Sequence, residues 1–504
     1  MAITKVTEGV RTLGTGEVAT ANMATDPTNA SNLSSGSVPL AQLGNVDTTA
    51  IVANQDDIAL LGFKVAANGS LARYNLVDQS IDAFEDASGV DASASTNETR
   101  DASGKYYSGT TTVTENATGG TITTWSDGGT DYVTHTFLTN ANFIPPSSGD
   151  IDVMLVGGGG GSANAQSGAG GGGGMITMAA YGVTAATYAM VIGSGGAGTT
   201  TLGGTGGSTT GFGETATGGG GGGFGRAGGA GANGGGGGDG AHGGGVGTAP
   251  SATNGTGFGG YNGGTGGTSK GGGGGGITAI GDNSSAAGGG GGAGKQYNLD
   301  GNNYYWGGGG GGAAYAANGG SGATGGGGGG GTHGGSGGTG GGSAINSGGA
   351  GSSSGTTGGT GGANSGGGAG GGSNADGGSG IVQVRYVAGT FTSIAYEDMT
   401  LVSNAQTAES APTTGDLVIT YTNGAGTATI NTDIKAYISR DGSAYSSAVT
   451  LVDQGDTGGH TILTANGVDL SGITSGTSMR WKIETLNQSA SKETRIQAVS
   501  LGWS

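Results

Sequence analysis

Side chains that could do acid–base, nucleophilic or metal chemistry are scarce and scattered in this sequence. None of its histidines has a second metal-ligand residue at helical or hairpin spacing, and no cysteine is present to supply a thiolate. Isolated acids such as Glu85 and Asp433 are typical of a solvated surface, and a calcium site among Asp453, Asp456 and Asp469 is the one metal alternative. The sequence therefore predicts a protein that is not an enzyme, with no catalytic residue, metal or cofactor. The histidines are His135, His242, His333 and His460.

The most concentrated binding chemistry lies in "KQYNLDGNNYYW", residues 295–306, which stand between long runs of glycine. Tyrosine and tryptophan rings offer apolar area with few rotors, and asparagine amides offer hydrogen bonds, so the stretch suits contact with a sugar or a protein surface. We expect a loop here, and a small local core of the same side chains is the alternative. A second stretch, "TNGTGFGGYNGGT" (253–265), adds two rings. The binding candidates are Tyr297, Asn298, Asn302, Asn303, Tyr304, Tyr305, Trp306, Phe258 and Tyr261.

Composition excludes several classes of partner. The net charge is −18 and there is no basic cluster, which argues against nucleic acid because binding a polyanion needs a Lys/Arg surface. No run of 18 apolar residues is present, so we expect no membrane span. The start, "MAITKVTEGVRTLGTG", lacks the apolar core of a signal peptide, which predicts that the chain does not use an ordinary secretory route.

Glycine dominates the middle of the chain, where 104 of the 131 glycines fall within residues 151–380. Such a composition usually marks a flexible linker, but the apolar strands "IDVMLV" and "GIVQVRYV" frame this segment and isolated aromatic residues interrupt it. We predict a bundle of polyproline II-type helices that hydrogen-bond to one another, because only glycine lets backbones approach closely on every side. Collagen is excluded by the missing G-x-y period, and a calcium-binding repeat by the shortage of acids.

The remaining sequence divides the chain into five segments. Strand-like runs such as "TDIKAYIS" and "SMRWKIETL", with a "RDGS" turn, predict a C-terminal antiparallel β-sandwich or jelly roll. The fold class is therefore mainly β with a glycine-rich polyproline II bundle and short N-terminal helices. The segments are an extended N-terminal attachment arm (1–46), a short helical region and linker (47–105), a small β region (106–150), the glycine-rich bundle (151–389) and the C-terminal β-sandwich (390–504).

The helical region carries a candidate oligomerisation seam. Ile51, Ile58 and Val65 are seven residues apart with Leu61 between them, a spacing that suits one short seam of a helical trimer. A single amphipathic helix lying on its own domain explains the same pattern.

Taken together, these segments resemble a known family. The run "YVTHTFLTNANFIPPSSGDIDVMLVGGGGG", continuing through "YAMVIGSGGAGT" and "GFGETATGGGGGG" to "GIVQVRYV", resembles the glycine-rich domain of bacteriophage tail fibres and adhesins. The stretch "DDIALLGFKVAANGSLARYNLVDQSIDAFEDASGVDASAS" resembles fibre-type proteins of marine tailed phages, and the ending "KETRIQAVSLGWS" is similar in character. The resemblance covers most of residues 47–504.

The resemblance implies a homotrimeric tail fibre of a virion, assembled in the host cytoplasm without a signal peptide. Its N-terminal arm would join other tail or baseplate proteins, and its loops would contact a host receptor, either a cell-surface glycan or an outer-membrane protein. Two alternatives stay open: a fibre that decorates the virion head, and a free-standing ice-binding or surface-adhesion protein.

Overall fold

A computed structural model of the protein describes residues 48–69, 74–76 and 78–504, so the predicted arm at 1–46 lies outside the described residues. The described chain is mainly β, with one helix and 29 strands, and most strand pairs are antiparallel. The mainly β class is thus confirmed. The expected short N-terminal helices are corrected to one helix within the described residues, Thr48–Gly69. Later in the segment predicted to be helical region and linker (47–105), Tyr74–Leu76 and Gln79–Asp82 are strands, because Gln79–Asp82 pairs with Glu493–Trp503 from the other end of the chain. The chain forms two compact units: the described residues up to Thr111 together with Ala395–Ser504, and Thr112–Ile394. The first unit therefore combines parts of segments that are far apart in the sequence.

The helix and strands follow one another along the chain in three groups. The first part of the chain contains α1 (Thr48–Gly69), β1 (Tyr74–Leu76), β2 (Gln79–Asp82), β3 (Thr99–Asp101), β4 (Tyr106–Ser108), β5 (Thr110–Thr114), β6 (Thr121–Asp127), β7 (Thr130–Phe137), β8 (Ala141–Phe143) and β9 (Gly149–Val156). The glycine-rich part contains β10 (Met175–Val183), β11 (Tyr188–Met190), β12 (Thr209–Gly211), β13 (Glu214–Ala216), β14 (Thr256–Phe258), β15 (Lys295–Gln296), β16 (Tyr305–Trp306), β17 (Ala314–Tyr315), β18 (Thr332–His333), β19 (Ser354–Gly355) and β20 (Ile381–Val387). The last part contains β21 (Thr392–Tyr396), β22 (Met399–Val402), β23 (Gln406–Thr407), β24 (Thr414–Ala425), β25 (Ile434–Ser439), β26 (Val452–Thr457), β27 (His460–Asp469), β28 (Ser478–Thr485) and β29 (Glu493–Trp503).

The first unit is built around two antiparallel sheets that share one apolar core. One sheet has the order β1-β2-β29-β24-β27-β26, and in the other β28 pairs with β22, β23 and β25. Strand β28 buries every second side chain, as expected for a strand with one face on a core. Its Trp481 is 2% exposed and packs in one core with Leu417 and Ile419 of the opposite sheet.

Helix α1 lies on the outer face of the larger sheet of this unit. It begins and ends where the N-cap and Asn-Gly signals predict, and Ala59, Phe63 and Ala66 pack against Ile81 and Val418 of the sheet. The first unit thus consists of three packed layers, which are the helix, the larger sheet and the smaller sheet.

The second unit contains a six-stranded antiparallel sheet of order β14-β10-β9-β20-β7-β6. The two apolar strands that frame the glycine segment, β9 and β20, are direct neighbours, and Ile381 pairs with Val156. Successive side chains of a strand point to opposite faces. Both faces of β9 are buried, since Val153 packs in one apolar cluster and Met154 in another.

Between these strands, glycine runs without helix or strand assignment are cross-linked by backbone hydrogen bonds. Gly160 N–H donates to the Gly171 carbonyl, Gly171 N–H to Gly220, and Gly220 N–H to Asn233, each at 2.8 Å. The partners are separated by 11 to 49 residues, so these contacts are not helical or hairpin bonds. Each contributes about 1 kcal/mol net, and together they offset part of the large ordering entropy of glycine.

The close approach of the segments leaves no room for side chains. A Cβ atom placed on Gly309 would lie closer than 3.0 Å to the carbonyl oxygen of Gly274, and one on Gly160 equally close to that of Gly220. Backbone atoms cannot move aside as a flexible side-chain end can. Glycine at these positions is therefore required by packing.

Within the described residues, no helix is both long enough and apolar enough to cross a membrane.

We expect Gly309→Ala to lower the free energy of unfolding by about 1–3 kcal/mol, because the new methyl group overpacks against backbone. The matched control is Gly243→Ala, where a Cβ meets nothing within 4 Å, and it should change stability by no more than about 1 kcal/mol. Thermal denaturation of both variants measures the difference. Equal melting temperatures would show that the glycine segments do not pack as described.

Candidate functional site

Residues 295–306 form the expected loop, 297–304, and two short paired strands close it into a hairpin. Lys295 pairs with Trp306 and Gln296 with Tyr305, which closes the base of what we call the aromatic hairpin (295–306). At its tip the Asn298 side-chain oxygen accepts the N–H groups of Asp300 at 3.1 Å and Gly301 at 2.7 Å. An asparagine that bonds its own backbone two or three residues on stabilises such a turn locally. The hairpin therefore has a fixed conformation.

Trp306 is the anchor of the aromatic hairpin. Its side chain is fully buried against Met154 and Met175 of the six-stranded sheet, and its indole N–H donates to the Tyr297 carbonyl at 3.0 Å. Tyr304 packs edge-on against the same ring, with centroids 5.8 Å apart. Trp306 thus belongs to a small local core, the alternative to a binding role, and it has no exposed surface to offer a ligand.

The tip of the aromatic hairpin faces solvent. Asn302 and Asn303 are exposed, whereas Asn298, Tyr304 and Tyr305 are half-buried. The remaining candidate, Tyr297, packs against the core beneath the hairpin. Two effects raise the pKa of its hydroxyl: burial, which is the larger, and the negative charge of the nearby Asp152 carboxylate. The outward-facing candidates of this stretch are therefore Asn302 and Asn303, with partial contributions from Tyr304 and Tyr305.

An aromatic platform adjoins this tip. Trp125 on β6 stacks on Tyr132 on β7, with ring centroids 5.0 Å apart and an interplanar angle of 27°. The Arg385 guanidinium lies 4.7 Å from the Tyr132 centroid and 5.9 Å from that of Trp125. Asp152 holds this guanidinium through an ion pair of 2.5 Å. We call Trp125, Tyr132 and Arg385 the aromatic platform; all three side chains are half-buried.

Hydrogen bonds join the platform to the aromatic hairpin. The Trp125 indole N–H donates to the Thr134 hydroxyl at 3.1 Å, and that hydroxyl donates to the Leu299 carbonyl of the hairpin. Gln383 donates its amide N–H to Asp300 at 2.9 Å. These bonds involve buried residues and fix the hairpin to the sheet. At the tip, a Cβ atom placed on Gly301 would lie 3.1 Å from the Trp125 ring, so the tip and the platform adjoin each other.

Sequence reasoning missed the platform, although one signal for it is present. Gly128 and Gly129 both adopt positive φ, which is the geometry of a two-residue type I′ hairpin turn. A two-residue turn at this point fixes the register and places Trp125 opposite Tyr132. Because the Gly-Gly pair was interpreted only as a break between strands and not as a turn of defined length, the contact between Trp125 and Tyr132 was not predicted from the sequence.

The second group of candidates lies at the other edge of the same sheet. Phe258 on β14 pairs with Met175, and the Lys295 ammonium lies 4.4 Å from its ring centroid. Phe258 packs partly against the core that holds Trp306. Tyr261 is 36% exposed. The structure thus brings Phe258 to the base of the aromatic hairpin, and Tyr261 stays at the surface.

The three acids of the calcium alternative are used in local turns. Asp453, Asp456 and Asp469 each accept a backbone N–H two or three residues further on, so each caps its own turn. Within the described parts of the chain, no group of three or more histidine and acidic side chains is placed to hold a metal ion.

His135 is fully buried in the second unit. Its Nδ1 lies 2.6 Å from the Gly119 carbonyl and must donate to it, so Nε2 accepts from the Tyr386 hydroxyl at 3.1 Å. That hydroxyl accepts the Ala117 N–H at 3.0 Å. Burial lowers the pKa of His135 from its ordinary value of 6.5, although the Gly119 bond opposes the shift. The neutral imidazole is therefore a structural part of the sheet.

The chain matches no protein-family model and no curated protein. Its function is therefore inferred from its own residues.

The stability of the protein should fall as the pH is lowered from about 7 to 5. The unfolded chain, with the ordinary histidine pKa, binds a proton before the folded protein does, so acid favours unfolding by up to about 1.4 kcal/mol per pH unit. His135→Gln should flatten this dependence, whereas the exposed His333→Gln should preserve it. Melting temperatures across this pH range provide the measurement. An unchanged slope in His135→Gln would assign the acid sensitivity to other groups.

Proposed function

We propose that the protein is a structural fibre of a bacteriophage virion that attaches the tail to the host cell surface. The observation that carries the proposal is the surface formed by the adjoining aromatic hairpin and aromatic platform. It belongs to the same unit as the hydrogen-bonded glycine segments of residues 157–380, which we call the glycine lattice and which consist mostly of backbone atoms. A lattice of this kind offers few side chains for recognition, so the rings and amides at its sheet are the groups available to bind a partner. A cell-surface glycan or an outer-membrane protein is the receptor.

The glycine-rich segment, 151–389, is in this proposal a bundle of polyproline II-type helices. Hydrogen bonds between distant glycine backbones support it, because helices of this type have no internal hydrogen bonds and must bond to their neighbours. The C-terminal strands belong to a β-sandwich, which the shared core of two antiparallel sheets supports. Such a bundle is a support that is held together by backbone hydrogen bonds and contains few large side chains.

The fibre is a homotrimer joined in part through α1, with the arm at 1–46 attached to tail or baseplate proteins. Ile58, Leu61 and Val65 are 51%, 61% and 42% exposed and lie along one stripe of the helix. Ala59 and Phe63 are buried on another stripe, against the sheet. The fourth seam candidate, Ile51, belongs to α1, but its side chain lies outside the described residues. An apolar stripe left exposed on an otherwise packed helix favours association.

The trimer is tested by light scattering of the intact protein. A trimer of 47.1 kDa chains has a mass of about 141 kDa. The double change Ile58→Gln and Leu61→Gln should shift the mass towards 47.1 kDa, because it removes the exposed apolar stripe. Lys64→Gln places the same amide on an exposed position of α1 and should leave the mass unchanged. A monomer in the unaltered protein would refute the trimer.

Attachment is tested by the binding of fluorescently labelled protein to a panel of marine bacterial strains. Changing Asn302, Asn303 and Tyr305 together to alanine should reduce adsorption at least tenfold, because it removes the exposed amides of the hairpin tip and a half-buried ring of its base. The control is Tyr315→Ala, because Tyr315 is 50% exposed and lies outside the aromatic hairpin and the aromatic platform. Full adsorption by the triple variant would exclude the hairpin tip as the contact surface.

A further inference from the structure

A groove of about 650 Å³ lies on the surface of the second unit. Its lining residues fall between 181 and 254 and do not include the aromatic hairpin. Its apolar wall is made by Tyr181, Tyr188 and Phe212, and its rim by hydroxyl and amide side chains. The volume falls in the range of about 300–1,000 Å³ typical of small-ligand sites. We call it the tyrosine groove (Tyr181, Tyr188, Phe212, Glu214 and Asn254, with the rim threonines 187, 210 and 215).

Three separate elements converge to build the apolar wall. Phe212 lies in the turn between β12 and β13, Tyr181 follows an irregularity in β10, and Tyr188 begins β11. The Phe212 ring centroid is 5.6 Å from that of Tyr181 and 5.2 Å from that of Tyr188. Its inner side packs edge-on against Phe143 at 5.9 Å. Phe212 is 6% exposed, so it holds the rings in place from beneath, and the half-buried Tyr181 and Tyr188 present the ring surface to the groove.

Phe212 holds this position at a conformational cost. It has a φ of +54° and Gly213 a φ of +78°, so the two residues form a type I′ turn. Asparagine, aspartate and glycine are the residues that suit such a turn, and a bulky ring at positive φ is an outlier. Backbone strain of this kind is concentrated at functional sites such as ligand-binding sites. The ring is kept at the turn although a smaller residue fits the backbone better.

A buried carboxylate shapes the polar wall. Glu214 is 3% exposed, and its Oε1 accepts the Asn254 backbone N–H at 2.6 Å and the Asn254 side-chain N–H at 3.1 Å. Both of its oxygens also accept the Thr253 N–H, at 3.0 and 3.1 Å. These bonds fix the loop that carries Asn254 along the groove. The Glu214 carboxylate thus accepts hydrogen bonds from the protein itself rather than facing the groove as a free acceptor.

The lining of the groove selects the chemistry of its ligand. No lysine, arginine or histidine lines it, so nothing in it compensates an anionic ligand, and the chain as a whole carries a net charge of −18. Ring faces suit the C–H surface of a pyranose, while the threonine hydroxyls and the Asn254 amide suit its hydroxyl groups. We propose that the tyrosine groove binds a neutral hexose residue of a polysaccharide.

This inference deepens the proposed attachment function, since a host surface glycan is one source of such a polysaccharide. Binding of a sugar by the purified protein does not depend on that function. The two can therefore fail separately, and the experiment has one arm for each.

In the first arm, the full-length protein is tested for binding to immobilised dextran, mannan and galactan, with the polyanion alginate for comparison. Binding to at least one neutral polysaccharide and not to alginate is expected. Tyr188→Ala removes a wall of the groove, and Thr215→Trp fills it from an exposed position, so each should weaken binding at least tenfold. Tyr315→Ala is the control for loss of an exposed tyrosine.

Melting temperatures verify that the variants are folded, and Thr215→Trp keeps the test valid if Tyr188→Ala is unstable. Absence of binding to all three neutral polysaccharides would overturn the inference. Equal binding by both groove variants and the unaltered protein would also overturn it, as would a preference for alginate.

In the second arm, the bound polysaccharide is added in solution during adsorption to bacterial cells. Reduced adsorption identifies the cell-surface glycan as the source of the hexose and supports attachment through the groove. Unchanged adsorption, with sugar binding intact in the first arm, leaves the hexose site in place and separates it from attachment to those cells.

Discussion

Backbone hydrogen bonds between glycine segments are the interaction on which residues 112–394 depend. A segment with almost no side chains gains little from the hydrophobic effect, so its cohesion comes from N–H and C=O groups that meet between distant segments of the chain. Such bonds form only where two backbones come within about 3 Å of each other. A Cβ atom at Gly160 or Gly309 would occupy the space of a neighbouring carbonyl. The same geometry that supplies the bonds therefore dictates the composition.

That constraint separates the roles of residues sharply. The interior of the glycine segments cannot hold large side chains, so the large side chains that are buried gather where these segments meet the six-stranded sheet. Trp306 and its neighbours cover one face of that sheet, and Phe212 packs with the core of the other face. Each core also fixes the rings that remain partly at the surface. The aromatic platform and the tyrosine groove lie on opposite faces, so one sheet supports two candidate recognition surfaces.

The first unit depends on the ordinary balance of buried apolar area. Strand β29 is central to its larger sheet, pairing with β2 and β24, and its Trp503 is 6% exposed. The helix α1 covers part of the outer face of this sheet and leaves Ile58, Leu61 and Val65 exposed. Burial within this unit therefore accounts for one apolar stripe of the helix and not for the other, which stays exposed.

The sequence alone determined the mainly β class, the helix from 48 to 69 and the two strands that frame the glycine segment, because each has a local period or a local stop signal. It also contained the Gly-Gly turn that sets Trp125 opposite Tyr132. Only the tertiary structure decided that Trp306 is buried and that Asn302 and Asn303 form the exposed tip. It alone joined β2 to β29, more than 400 residues apart, and assembled the tyrosine groove from three elements. Periodicity reports which face of an element is apolar, but burial is set by the distant segment that comes to cover that face.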